Sequence, residues 1–127
     1  MIHTIKKHTI SFKHAFDGIV WAFNTQPNFK IHVIVSFFVI LTGFFFTISL
    51  SEWIILTLTI TIGLVIEMIN TGFEETTDAI DLKIREDIKI AKDVAAGAML
   101  TYAIGASIVA GLIFIPKILE LFRTTGL

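Results

Sequence analysis

The stretch Ile31-His-Val-Ile-Val-Ser-Phe-Phe-Val-Ile-Leu-Thr-Gly-Phe-Phe-Phe-Thr-Ile-Ser-Leu-Ser51 runs for 21 residues without an Asp, Glu, Lys or Arg. As a helix rising about 1.5 Å per residue, it matches a hydrocarbon core about 30 Å thick. Phe37 to Leu41 and Phe44 to Phe46 are apolar on every side, whereas a helix in a small soluble bundle must show water a polar face. The segment is therefore predicted to cross a membrane. Trp53 to Phe73 is a second such run, interrupted only by Glu67, and Val94 to Pro116 is a third with no charge at all. Three spans are expected, at about 31–51, 53–73 and 94–116.

The composition agrees. The chain has 127 residues, 54% hydrophobic and 17% charged, against about 25% charged in soluble domains, and its mean hydropathy is +0.81. That balance excludes a disordered tail, and the lack of cysteine excludes disulfides and thiol or cysteine–zinc chemistry. A net charge of -1 gives no whole-chain reason to expect nucleic-acid binding. The length fits a single domain, residues 1–127.

Before the first span, Ile5, Phe12, Phe16, Ile19 and Phe23 recur at helical spacing, with Lys6, Lys7 and Lys13 between them. This reads as an amphipathic helix over about 4–25, lying in the headgroup layer with Trp21 near the interface. No uninterrupted apolar core precedes residue 31, so a cleaved signal peptide is not expected. Pro27 ends the helix, and Thr25 to Asn28 turns the chain into the membrane. The expected fold class is thus all-α integral membrane, with three transmembrane helices and an N-terminal surface helix.

Eight of the ten basic residues lie in the N-terminal segment (Lys6, Lys7, Lys13, Lys30) or the second connection (Lys83, Arg85, Lys89, Lys92). The positive-inside rule then places the N-terminus in the cytoplasm and the C-terminus outside. Gly97, Thr101 and Gly105 form one ladder of small residues on the third span, and Ala103, Ser107 and Gly111 form another. Such ladders let membrane helices approach closely. Two neighbours in an oligomer and packing within one chain explain them equally well.

Chemistry concentrates in Glu67-Met-Ile-Asn70-Thr-Gly-Phe-Glu74-Glu75-Thr-Thr-Asp78. At 100° per residue, Glu67, Asn70, Glu74 and Asp78 share an arc of about 80° on an otherwise apolar helix, and Asp81 extends it if the helix continues. An acid within a span is a functional-site hypothesis by default, provided it faces protein or a water-filled cleft. Hard cations such as magnesium take one or two carboxylates plus substrate phosphates, and a carboxylate deeper on the same face suits proton abstraction from a hydroxyl. With Lys92 at the same boundary, the set fits phosphoryl transfer from a nucleotide to a lipid alcohol. On these residues alone a proton-coupled transporter fits as well, and Glu67 or Asn70 as hydrogen-bonded helix glue stays open. No GxxxxGK[ST] or GxGxxG loop is present, which excludes the ordinary nucleotide-binding folds.

The acidic stretch, followed by Ala91-Lys92-Asp93-Val94-Ala95-Ala96-Gly97-Ala98, closely resembles the prokaryotic diacylglycerol kinase family, and within it the undecaprenol kinase branch. Phe12-Lys13-His14-Ala15-Phe16-Asp17-Gly18-Ile19 and Asn28-Phe29-Lys30-Ile31-His32 are similar to that family's surface helix and first turn, so the likeness covers roughly residues 10–116. The resemblance implies a homotrimer in the bacterial cell membrane, using ATP and Mg2+, with sites between subunits on the cytoplasmic side. It implies Glu67 as the base for the lipid hydroxyl and Glu74 as a magnesium ligand. Asn70 and Lys13 would line the site, and Lys92, Asp93, Asp78 and Lys7 would contact the nucleotide. Where the family has a second metal-binding glutamate, this chain has Gln26, which offers a carbonyl oxygen but no charge and so points to weaker magnesium binding there. Lys83-Ile84-Arg85 and Thr76-Thr77 also depart from the family pattern. The expected activity is ATP-dependent phosphorylation of a membrane lipid alcohol, undecaprenol first. The alternatives are a diacylglycerol kinase making phosphatidate, or a non-enzymatic or transporting protein on the same scaffold.

Overall fold

The computed structural model describes residues 2–80 and 85–125, with side chains from residue 10 onward. It contains four helices: α1 (Ile2–Thr25), α2 (Pro27–Phe45), α3 (Leu50–Ile80) and α4 (Glu86–Thr125). Helices α2, α3 and α4 are each long and apolar enough to cross a membrane, and no strand occurs among the described residues. The protein is an all-α membrane protein, as its sequence predicts. Its outer surface is hydrocarbon-like: Phe37, Phe38, Phe44, Leu58, Ile62, Ile104 and Leu112 are all exposed. Helix α1 packs against α2 and α3 and leaves Phe12 and Phe16 uncovered, as suits a helix floating in the headgroup layer.

Each turn has a local cause. Gln26 takes an extended backbone, φ -99° and ψ 110°, because the following ring disfavours helical geometry. Pro27 then opens α2, where its missing N–H costs nothing. Helix α2 stops at Phe45, inside the uncharged stretch. There the Ile48 N–H donates to the Gly43 carbonyl and the Thr47 N–H to that of Phe44, both at 3.1 Å, with Thr47 in the left-handed region at φ 47°. This is a Schellman stop made without glycine at its left-handed position. Ser49 and Glu52 next form a capping box, the Ser49 N–H donating to the Glu52 carboxylate at 2.6 Å and the Glu52 N–H to the Ser49 hydroxyl at 3.3 Å. At the same end Lys117 of α4 pairs with Glu52 at 3.3 Å.

A small core of Ile48, Leu56, Ile113 and Phe114 closes this end of the bundle. From it, the inward face of α3 climbs through Leu56, Gly63, Glu67, Asn70 and Thr77, all buried. The polar stripe therefore continues the seam along which the helices pack. Glycine is required on that seam at Gly63, where an added Cβ would fall on the ring and hydroxyl of Tyr102 from α4. The ring cannot step aside freely, because its hydroxyl donates to the Thr59 carbonyl at 2.6 Å. Gly43 likewise leaves room for the Trp53 ring. Gly63→Ala is expected to destabilise the fold by about 1–3 kcal/mol through overpacking. Thermal unfolding in detergent checks this; an unchanged midpoint would mean that the α3–α4 contact is looser than described.

Of the two ladders on α4, Gly97, Thr101 and Gly105 face open space within this chain. Ala103, Ser107 and Gly111 border a shallow apolar hollow.

Candidate active site

Helix α3 is long enough to carry its polar stripe out of the apolar stretch, because it continues past Phe73 to Ile80. Glu67 is 2% exposed and Asn70 7%, so both face protein and neither points at acyl chains. The Asn70 amide donates to Glu74 Oε1 at 3.0 Å, which ties the deep part of the stripe to the shallow part. Glu74 is half-buried, and Asp78, one turn further, is exposed. There Asp78 accepts a bond from Lys92 Nζ at 2.5 Å, which bridges α3 to α4. Four residues spread along the sequence stretch thus form one ladder, deep and enclosed at Glu67, open to water at Asp78.

The second connection is laced with short-range pairs. Arg85 pairs with Asp87 at 2.7 Å and Lys89 with Asp93 at 3.2 Å. So Asp93 is held by Lys89 on its own helix, while its sequence neighbour Lys92 reaches across to Asp78. Lys13 belongs to α1 and is exposed. Lys7 also belongs to α1, but its side chain lies outside the described residues, as do Asp81 and Lys83.

Gln26 sits at the start of α2 without capping it. Its amide instead donates to Glu75 Oε1 at 3.3 Å, so the nearest acid it engages is Glu75 rather than Glu74. That bond uses the NH2 group and leaves out the carbonyl oxygen, the atom a cation would take. Glu75, exposed on α3, thereby helps join α2 to α3.

The donor set suits a hard cation bound together with phosphates. Among the described residues no cluster of three or more His, Asp or Glu forms a closed metal cage, and magnesium characteristically takes only one or two carboxylates with the rest of its shell from phosphate and water. Glu74 supplies such a carboxylate. Beside it, Asn70 Oδ1 is buried with no hydrogen-bond partner, an acceptor left open where polar atoms are normally satisfied.

Two residues near the stripe escape a sequence reading. Tyr102 braces α3 against α4, and His32 of α2 brings its Nε2 to 3.9 Å from Glu67 Oε2. The signal for His32 was its place within a span, where an ionisable group deserves a partner. Spacing along α2 could not say which partner.

Three helices long and apolar enough to cross a membrane, with a ladder of carboxylates and one lysine where the apolar stretch of α3 gives out, define a small all-α membrane protein. Residues 13–114 match the family model of the prokaryotic diacylglycerol kinases. The chain is 39% identical over 108 residues to the undecaprenol kinase of Bacillus subtilis (strain 168), a match covering 85% of this chain and 88% of that protein. It is 37% identical over 113 residues to a diacylglycerol kinase of Synechocystis sp., covering 88% of this chain and 65% of the relative. A diacylglycerol kinase of Helicobacter pylori is 32% identical over 84 residues, 66% of each chain. The chain belongs to the prokaryotic diacylglycerol kinase family. It is a membrane lipid kinase, which removes the transporter and non-enzymatic readings.

Proposed function

We propose that the protein phosphorylates undecaprenol, with ATP as donor, at the stripe formed by Glu67, Asn70 and Glu74. The observation that carries the reading is a buried carboxylate on the same helix face as a shallower one, joined through the Asn70–Glu74 bond. Likeness to the Bacillus subtilis undecaprenol kinase over most of both chains favours the polyprenol acceptor. The Synechocystis relative favours diacylglycerol as the second reading.

In the proposed step the lipid hydroxyl oxygen attacks the terminal phosphorus in line. The new O–P bond forms as the bond to the bridging oxygen breaks and ADP leaves. Glu67 accepts the hydroxyl proton, general-base work for which its enclosed position suits it. Lys92 offsets charge on the phosphates once drawn from Asp78, and Asp93, Asp78 and Lys7 complete the nucleotide contacts. Asn70 orients Glu74, and Asn70 and Lys13 line the acceptor's approach. Glu74, with the carbonyl oxygen of Gln26, would hold Mg2+, which when bound neutralises charge on the phosphates. The site opens to the cytoplasm, where ATP is, with the N-terminus on that side and the C-terminus outside the bacterial cell membrane. Three copies assemble around it, and the uncovered Gly97, Thr101 and Gly105 offer a face for close helix approach.

Purified protein in liposomes, with Mg2+ and ATP labelled in its terminal phosphate, tests the reading. Label in undecaprenol, well above label in diacylglycerol, is the expected result. The opposite preference overturns the acceptor assignment, and no labelled lipid from either acceptor overturns the proposed reaction.

A further inference from the structure

We infer that His32 is a positioning residue for Glu67. The inference rests on the reading of Glu67 as the base. His32 follows buried Phe29 by three residues and precedes Ser36 by four, so it lies on the face that α2 turns toward α3. Its ring is partly enclosed, and Nε2 stands 3.9 Å from Glu67 Oε2. At that separation the two groups act on each other through space or through one bridging water.

The surroundings single out this imidazole. His32 borders an apolar cleft of about 260 Å³ between α2, α3 and α4, whose other polar side chains are Ser36, Thr59, Tyr102 and Ser107. Each of those hydroxyls spends its one proton on a backbone carbonyl: Ser36 on His32, Thr59 on Ile55, Tyr102 on Thr59 and Ser107 on Ala103. Among the described residues lining the cleft, the imidazole alone keeps its donor and acceptor for another side chain, and the carboxylate it faces is the buried one. Among the described residues His32 is the one basic side chain within 4 Å of the Glu67 carboxylate, and in this inference it sets where that carboxylate points. A base must meet its proton within about 2.6–3.2 Å, so losing that orientation slows the chemical step without weakening binding.

His32→Ala is expected to lower kcat about tenfold, the scale on which an orienting partner acts. KM for ATP and for the lipid should stay within about twofold. His32→Gln, which keeps a donor of similar reach, should recover part of kcat and carries the test if the alanine variant fails to assemble. In a Glu67→Asp background, where the carboxylate is already withdrawn, adding His32→Ala should cost little more. Wild-type kcat in His32→Ala, a loss confined to KM, or the same tenfold loss in the Glu67→Asp background would each overturn the inference. Glu67→Gln separates the two ideas. If that variant keeps its activity, the base reading fails; if it is inactive while His32→Ala is as fast as wild type, only the positioning role fails.

Discussion

Glu67→Gln should lower phosphoryl transfer by at least about 10²-fold, the lower edge of what a positioned general base contributes, while the protein stays inserted and folded. The substitution keeps the shape of a side chain that is 2% exposed and removes only its charge and its proton affinity. Burying a carboxylate costs free energy that burying an amide largely avoids, so the thermal midpoint of the variant should equal or exceed that of the wild type. Turnover and melting then move in opposite directions. A structural acid would lose both together, and wild-type turnover would remove the role outright. Single-turnover measurement with saturating ATP and lipid isolates the chemical step and is the decisive reading.

Glu74→Gln should give a loss of comparable size by another route. The Asn70 amide donates to Glu74 Oε1, and a glutamine carbonyl accepts that bond equally well, so the local geometry survives. What disappears is a negative charge where no three-residue acidic cluster backs it up among the described residues. With Gln26 already neutral at the other proposed ligand position, the site would be left with no anionic metal ligand. Even partners one shell removed from a metal are worth about 10–100-fold in its affinity, so losing the direct carboxylate should cost at least about 100-fold in turnover at moderate Mg2+. Raising Mg2+ at fixed ATP should recover part of the loss in Glu74→Gln and none in Glu67→Gln. Equal insensitivity of both variants to Mg2+ would dismiss Glu74 as a ligand.

The ladder itself was legible because it obeys one helical period. Glu67, Asn70, Glu74 and Asp78 are three or four residues apart, and any continuous helix must line them up. The continuity of α3 to Ile80 met that single condition. Lys92 was legible only as a charge near the boundary, since the bond to Asp78 joins residues 14 apart through a turn whose shape no periodicity encodes. Gln26 stood out by its residue type, yet its engagement with Glu75, 49 residues away, depends on how α2 leans against α3.

The spans, the amphipathic first helix and the acidic face follow from the chain alone, because hydrocarbon thickness and the helical period act on local sequence. Which side of that face is enclosed came from packing: Tyr102 seats over Gly63, α4 closes on α3, and Glu67 is shut away from lipid. The pairing of His32 with Glu67 likewise belongs to the tertiary structure. Distance between residues on different helices is set by crossing and register, and side-chain volumes across the whole interface decide those together.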